Sequence, residues 1–122
     1  LLKEGSPLFL EVGMKPKAFD AMLERLHDQE REVLGEKGAV YARRGDRLST
    51  FKDAGRALHK HPAIALHGMM LKHQVALNDF MDDLGSGKTV SEAEWLEKIV
   101  DSRNYLALLL ACLIDGGEVK DF

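Results

Sequence analysis

Nine consecutive apolar residues at positions 106–114 constrain the fold of this chain more than any other feature of its sequence. They form the second half of a longer stretch, residues 95–114, and nothing between positions 15 and 115 alternates with the period of two typical of a half-buried strand. A helix that is apolar on all sides is expected to be buried on most of them. The run is too short to cross a bilayer, which takes about 20 apolar residues. We therefore expect the central helix of an all-α bundle and no membrane association.

Apolar residues at helical spacing predict a first long helix that begins near Pro16. Proline suits the first turn of a helix, whereas Gly35 and Gly38 should weaken its far end and produce a kink or break. Glycine and proline interrupt residues 1–14, which we interpret as an extended N-terminal arm. The sequence therefore predicts this arm followed by a single helical domain at residues 15–122.

Two further helices are expected in the middle of the chain. The first is short, follows a basic loop at residues 43–47 and has Ser49 or Thr50 as its N-cap. Its inward-facing residues are predicted to be Phe51, Ala54 and Leu58. The second is long and covers residues 62–84. Its inward stripe is predicted to comprise Leu66, Met69, Met70, His73, Ala76, Leu77, Phe80 and Leu84.

The last helix has clear start and stop signals. Ser91 and Glu94 form the capping-box pattern that opens a helix, and Gly116 and Gly117 are expected to close it. The chain is therefore predicted to fold as an all-α bundle of three long helices and one short helix.

The net charge of −3 conceals an uneven distribution along the chain. Residues 37–60, the basic segment, hold seven basic and two acidic side chains, whereas residues 61–122 hold five basic and ten acidic ones. A basic segment followed by an acidic one suits a small phosphorylated ligand, held between cations and a metal ion. Nucleic acid is an unlikely partner on this pattern, because wrapping it would need one continuous basic face.

Cys112 is the single cysteine and lies within the apolar run. It cannot form an internal disulfide, and a buried reduced thiol is the usual state of such a residue inside the cell. No secretory signal pattern stands at the start of the printed sequence. We expect a cytoplasmic protein.

Three polar residues follow one face of the last helix. Glu97, Asp101 and Asn104 occur at positions i, i+4 and i+7. Their oxygen atoms are the hard ligands that Mg²⁺ prefers. The alternative is a solvated acidic edge, which is also favourable near a helix N-terminus. Asp101 fits this alternative least well, because apolar residues flank it closely on both sides.

The basic segment supplies candidate ligands for phosphate. Lys52, Arg56 and Lys60 are spaced by four residues and share a helix face, and three arginines precede them in the loop. Arginine binds phosphate through two parallel hydrogen bonds. The alternative is a solvated helix face and loop. The candidate phosphate-binding residues here are Arg43, Arg44, Arg47, Lys52 and Arg56.

The sequence EKIVDSRNYL at residues 97–106 places an acidic residue, then Asp101, then Tyr105 before an apolar helix end. This pattern resembles the signature helix of the all-α nucleoside triphosphate pyrophosphatases, the MazG-like superfamily. The preceding part is similar to a small phage and bacterial branch of that group, which is associated with nucleotide modification. The similar positions there are Lys37, Tyr41, Phe51 and Lys72.

The resemblance implies Mg²⁺-dependent cleavage of a nucleoside triphosphate into a monophosphate and pyrophosphate. Asp101, Glu97 and Asn104 would then hold Mg²⁺, and Lys72 and the cluster from Arg43 to Arg56 would hold phosphates. Because a nucleoside base must stack on something, Tyr41 is the candidate stacking residue, and the alternative for it is an aromatic of the core or of an interface. The sequence departs from the superfamily at two points. No Glu-x-x-Glu lies within residues 62–84, and lysine stands at position 98, where the second motif has glutamate.

These departures leave two alternatives open. One is a catalytically silent helical module of phage type that serves binding or assembly, and the other is a nucleic-acid-associated protein that uses the basic segment. The helices also carry more apolar surface than a small bundle easily covers. We therefore expect a homo-oligomer, a dimer or larger.

Overall fold

The computed structural model describes residues 13–122, and for residues 39–41 it describes the backbone only. This part of the chain contains no strand, and its four helices are α1 (Pro16–Tyr41), α2 (Ser49–Leu58), α3 (Pro62–Gly85) and α4 (Glu92–Asp115). A 3₁₀ turn, Arg43–Gly45, joins α1 to α2. The predicted all-α bundle of three long helices and one short helix is confirmed. The predicted arm lies outside the described residues, apart from its last two.

The hydrophobic core lies where α2 and α3 meet the C-terminal half of α4. Leu66 of α3 is completely buried and packs with Phe51 of α2 and Cys112 of α4. Burying a side chain the size of leucine or phenylalanine contributes about 1.5–3 kcal/mol. α3 packs against both α2 and α4, and α4 packs against both α3 and α1, so these two long helices form the middle of the bundle.

The apolar half of α4 is less buried than its sequence predicts. Leu106 is 54% exposed and Ile114 is 41% exposed, whereas Cys112 is 3% exposed. The expectation that this half is buried on most sides is therefore wrong. Leu106 and Ile114 are exposed because, among the described residues, α1 and α3 cover only part of the circumference of α4.

The short helix α2 differs from its prediction at both ends. Its N-cap position is Leu48, which has no capping side chain, and Ser49 instead accepts a hydrogen bond from the backbone N–H of Arg43 at 3.1 Å. At the other end Leu58 is 59% exposed, although it was expected to face inward. Leu84, the last member of the predicted stripe on α3, is also 59% exposed. Apolar spacing therefore overestimates burial at helix ends, where the neighbouring helices no longer overlap.

No break occurs in α1 at its two glycines, so the predicted kink is wrong. At Gly38 the absence of a side chain has a packing reason. A Cβ atom there would lie 2.9 Å from Nε of Arg47, which crosses this part of α1. Glycine destabilises a helix by about 1 kcal/mol relative to alanine, but at this position it lets the side chain of Arg47 pack closely against α1.

Side chains cap both α3 and α4 at their N-termini. Ser91 is the N-cap of α4 as predicted, because the N–H of Glu94 donates to Oγ of Ser91 at 3.2 Å. The Glu94 carboxylate accepts from the Ser91 hydroxyl at 2.8 Å. For α3 the cap is a histidine: Nδ1 of His61 accepts from the N–H of Ala63 at 3.0 Å. Nε2 of His61 also lies 3.0 Å from Oε1 of Glu118, which ties the C-terminal tail to the start of α3.

The turn between α2 and α3 requires a close backbone approach. His59 adopts the left-handed conformation with φ of 54°, and the N–H of Lys60 donates to the carbonyl of Gly55 at 2.9 Å. This is the hydrogen bond of a Schellman motif. A Cβ at Gly55 would lie 2.7 Å from the carbonyl oxygen of Lys60, so only glycine fits this position.

We predict that Gly55→Ala lowers the free energy of unfolding by about 1–3 kcal/mol, because the added methyl group must displace backbone. The matched control is Gly68→Ala, at an exposed position of α3 where a Cβ meets nothing within 4 Å. That change should raise stability by up to about 1 kcal/mol. Urea unfolding of both variants measures the difference. Equal stability of the two would contradict the close approach.

Candidate functional site

A pocket of about 470 Å³ opens between the four helices. Its walls come from α1, the loop after it, α2, α3 and the middle of α4, residues 97–108. Six charged side chains line it, four basic and two acidic. They are Lys37, Arg47, Lys72, Lys98, Glu97 and Asp101.

One face of α4 forms the longest wall of this pocket, and burial increases along it. The side chain of Glu97 is 66% exposed, that of Lys98 is 26% exposed and that of Asp101 is 14% exposed. Asn104, one turn further, is only 4% exposed. The pocket therefore has a charged outer part and an inner part where polar groups are shielded from water.

Arg47 reaches from the loop into the pocket and across to α1. Its Nη2 donates to the backbone carbonyl of Leu34 on α1 at 3.2 Å. Its Nη1 is buried and has no hydrogen-bond acceptor among the described residues. A buried guanidinium nitrogen without an acceptor is costly, and an anionic oxygen is the group that satisfies it best.

Asp101 lies between two cationic or titratable side chains from other helices. Its Oδ1 lies 3.8 Å from Nζ of Lys37, and its Oδ2 lies 3.9 Å from Nδ1 of His73. Neither separation is a hydrogen bond, since these bonds extend to about 3.2 Å. The carboxylate therefore has favourable electrostatic neighbours while its oxygen atoms remain available to a ligand.

His73 is buried, with 5% exposure, and stacks at a tilt on Tyr105 with 5.1 Å between the ring centroids. Burial lowers the pKa of His73 below its usual value of 6.5. The nearby Asp101 carboxylate opposes this change, whereas Lys98 and two other lysines add to it. His73 is therefore held in its neutral form near pH 7, although its Nδ1 has no hydrogen-bond partner among the described residues.

Asn104 has no hydrogen-bond partner for either end of its amide. Both Oδ1 and Nδ2 are buried, and neither atom has a hydrogen-bond partner among the side chains and backbone that the structure describes. Buried amide groups in proteins are nearly always hydrogen-bonded. A buried amide without partners, on a residue that lines a pocket, favours a ligand contact at that residue.

The three predicted metal ligands, Glu97, Asp101 and Asn104, lie on the same pocket wall. No group of three or more His, Cys, Asp and Glu side chains in the described part is placed to hold a metal ion. Glu97 lies 3.8 Å from Nζ of its neighbour Lys98. The oxygen atoms that the predicted set brings to this wall are the two carboxylates of Glu97 and Asp101 and the amide oxygen of Asn104.

The predicted phosphate ligands divide into two sets. Arg47 and Lys72 line the pocket. Arg44 and Arg56 instead both contact Asp53, and Lys52 contacts two aspartates outside the pocket. Arg43 is exposed and does not line the pocket.

Sequence reasoning did not predict two of the cations that line the pocket, Lys37 and Lys98. A signal existed for Lys98, which precedes Asp101 by three residues and so lies on the same helix face. Lys37 was noted only as a position similar to the pyrophosphatase branch, without a predicted role. Its place in the pocket depends on how α1 packs against α4, which spacing along the chain does not reveal.

Aromatic residues occupy the inner part of the pocket and its surroundings. Phe51 and Tyr105 line the pocket, whereas Trp95 packs edge-to-face on Phe80 outside it, with 5.4 Å between ring centroids. The side chain of Tyr41, the predicted stacking residue, lies outside what the structure describes, and its backbone forms the last residue of α1.

Comparison with protein-family models, with curated proteins and with solved structures finds no match for this chain. None of the described helices is long and apolar enough to cross a membrane.

We predict that His73 makes folding stability depend on pH. Because its pKa is lowered on folding, the unfolded chain takes up this proton first as the pH falls through 6.5, and stability decreases. Replacement by His73→Gln should remove that part of the decrease. Urea unfolding in EDTA buffer at pH 7.5, 6.5 and 5.5 measures it. Parallel profiles for the two proteins would contradict the lowered pKa.

Proposed function

We propose that this protein binds a nucleotide in the pocket, with the phosphate groups in its charged outer part. The observation that carries the proposal is the buried Nη1 of Arg47, which lacks an acceptor among the described residues. Three lysines line the same pocket, so four cations face two carboxylates there. This excess of positive charge favours an anionic ligand, and phosphate groups are what arginine and lysine bind in combination.

The remainder of the pocket supports a ligand with an apolar part. Leu34, Met69, Leu108 and Phe51 line it beside the charged residues. Pockets for small ligands usually measure about 300–1,000 Å³ and combine apolar walls with few polar groups. Inorganic phosphate would leave most of such a pocket unfilled, whereas a nucleotide supplies both a charged and a flat, largely apolar end.

A second, finer proposal is that the site cleaves a nucleoside triphosphate into a monophosphate and pyrophosphate with Mg²⁺. The observation that favours it is that Glu97 and Asp101, one turn apart on α4, both line the pocket beside the cations. Mg²⁺ is usually held by one or two carboxylates together with substrate phosphates, so this donor set fits the ion. When bound, Mg²⁺ would neutralise charge on the phosphates during cleavage.

The alternative is a catalytically silent module that binds the nucleotide without cleaving it. It is favoured by the small number of carboxylates, because charge neutralisation is the main requirement of phosphoryl chemistry. A nucleic-acid partner has less support. Arg44, Lys52 and Arg56 contact aspartates, which reduces the charge that this surface offers to a phosphate backbone.

We predict that nucleoside triphosphates bind this protein and that Lys72→Ala weakens their binding about tenfold, because a charge-assisted contact to phosphate is lost. The matched control is Lys60→Ala, which removes the same charge outside the pocket and should change affinity little. Isothermal titration calorimetry at constant salt measures both. Failure of every nucleoside triphosphate to bind would refute the proposal.

We predict that hydrolysis of nucleoside triphosphates by this protein requires Mg²⁺ and Asp101. Incubation of the protein with Mg²⁺ and a mixed pool of nucleoside triphosphates should release pyrophosphate, and Asp101→Asn should reduce the rate at least tenfold. The control is the same variant's nucleotide affinity, which reports binding separately. Binding without any pyrophosphate release would support the silent module.

We also propose a homo-oligomer, a dimer or larger, in the cytoplasm. Ile64, Leu71 and Val75 form one exposed apolar stripe on α3, with exposures of 57%, 44% and 56%. Contiguous exposed apolar patches usually mark protein interfaces. Leu71→Glu should then shift the protein to a smaller species in light scattering after size exclusion. A wild-type monomer at high concentration would exclude this interface.

A further inference from the structure

The amide of Asn104 is the feature of the pocket that phosphate binding leaves unexplained. Its Oδ1 is an acceptor and its Nδ2 is a donor, both are buried, and neither meets a partner within the described chain. The residue is 4% exposed and lines the pocket. A ligand that fits this position must therefore satisfy a donor and an acceptor that lie side by side.

Phosphate, Mg²⁺ and a nucleobase differ in how well they can satisfy the amide of Asn104. A phosphate group offers only acceptor oxygens near neutral pH, so it would satisfy Nδ2 and leave Oδ1 without a donor. A Mg²⁺ ion would satisfy Oδ1 and leave Nδ2 without an acceptor. The edge of a nucleobase offers a donor beside an acceptor, and asparagine binds such edges with two hydrogen bonds.

Its position along α4 agrees with this chemistry. Asn104 is three residues beyond Asp101, about 4.5 Å further along the helix axis, and is more deeply buried. The charged outer part therefore lies on one side of it, while Phe51 and Leu108 supply apolar walls. Tyr105, the next residue on α4, places an aromatic ring in the same pocket.

We propose that Asn104 is the residue that recognises the nucleobase, through paired hydrogen bonds from its amide to the edge of the base. This inference rests on the proposed nucleotide binding and adds its specificity. The protein then distinguishes bases by the order of donor and acceptor on their edges, while its cations hold the phosphates of every nucleotide alike. Asn104 is accordingly a specificity residue rather than a ligand of Mg²⁺.

The test compares the affinities of ATP, GTP, CTP and UTP, measured by titration calorimetry in EDTA buffer. The wild-type protein is expected to prefer one base, or a pair with similar edges, by about tenfold or more, the range of a paired contact to a base edge. In Asn104→Ala the four affinities should converge near the weakest wild-type value. The matched control is Asn78→Ala, an exposed asparagine of α3 outside the pocket, which should keep the preference.

Three results would overturn the inference alone: equal wild-type affinity for all four nucleotides, a preference that survives Asn104→Ala, or an equal loss of affinity for inorganic tripolyphosphate in this variant. Absence of binding by every nucleotide would instead overturn the proposed function as well. A second variant, Asn104→Leu, tests for a structural role. Its unfolding midpoint should not fall below that of the wild type, because no hydrogen bond is broken, and a clear fall would contradict the assignment.

Discussion

The packing of α3 against α4 is the contact on which the rest of this structure depends. Towards the C-terminal end of α4 this contact is apolar, and it provides the core, in which Leu66 is fully buried against Cys112. Towards the N-terminal end of α4 the same contact brings His73 of α3 beside Asp101 of α4. One interface therefore produces both the stability of the bundle and the wall of the pocket. His73 and Asp101 could not be held in place if the adjoining apolar core were loosely packed.

Helical periodicity was sufficient to predict the four helices, because each has apolar spacing and three have local start or stop signals such as Ser91. It was insufficient for burial, as the exposed Leu58 and Leu84 show. Spacing identifies a helix face but does not reveal how far a neighbouring helix extends along it. For the same reason the polar line on α4 could be predicted, whereas Lys37, contributed by α1, could not.

The polar atoms without partners explain why the pocket is more than a packing gap. Leaving a buried donor or acceptor unsatisfied costs about 1–3 kcal/mol, in a domain whose total stability is about 5–15 kcal/mol. Arg47, His73 and Asn104 each have such an atom within the described chain, and all three line the same pocket. A protein that folds despite these costs holds the groups in a preorganised state, which reduces the cost of binding a complementary ligand.

Charge counted along the sequence was a poor guide to which cations can bind a ligand. The basic segment contains most of the arginines, yet Arg44 and Arg56 share Asp53 as a partner. Exposed pairs of this kind contribute about 0–1 kcal/mol to stability, and they lower the positive potential that a distant anion would meet. In the pocket the acidic partners are fewer than the cations, and the nitrogen of Arg47 that lacks an acceptor is shielded from water. The positive charge available to an anion is therefore concentrated in the pocket, where apolar side chains lie beside it.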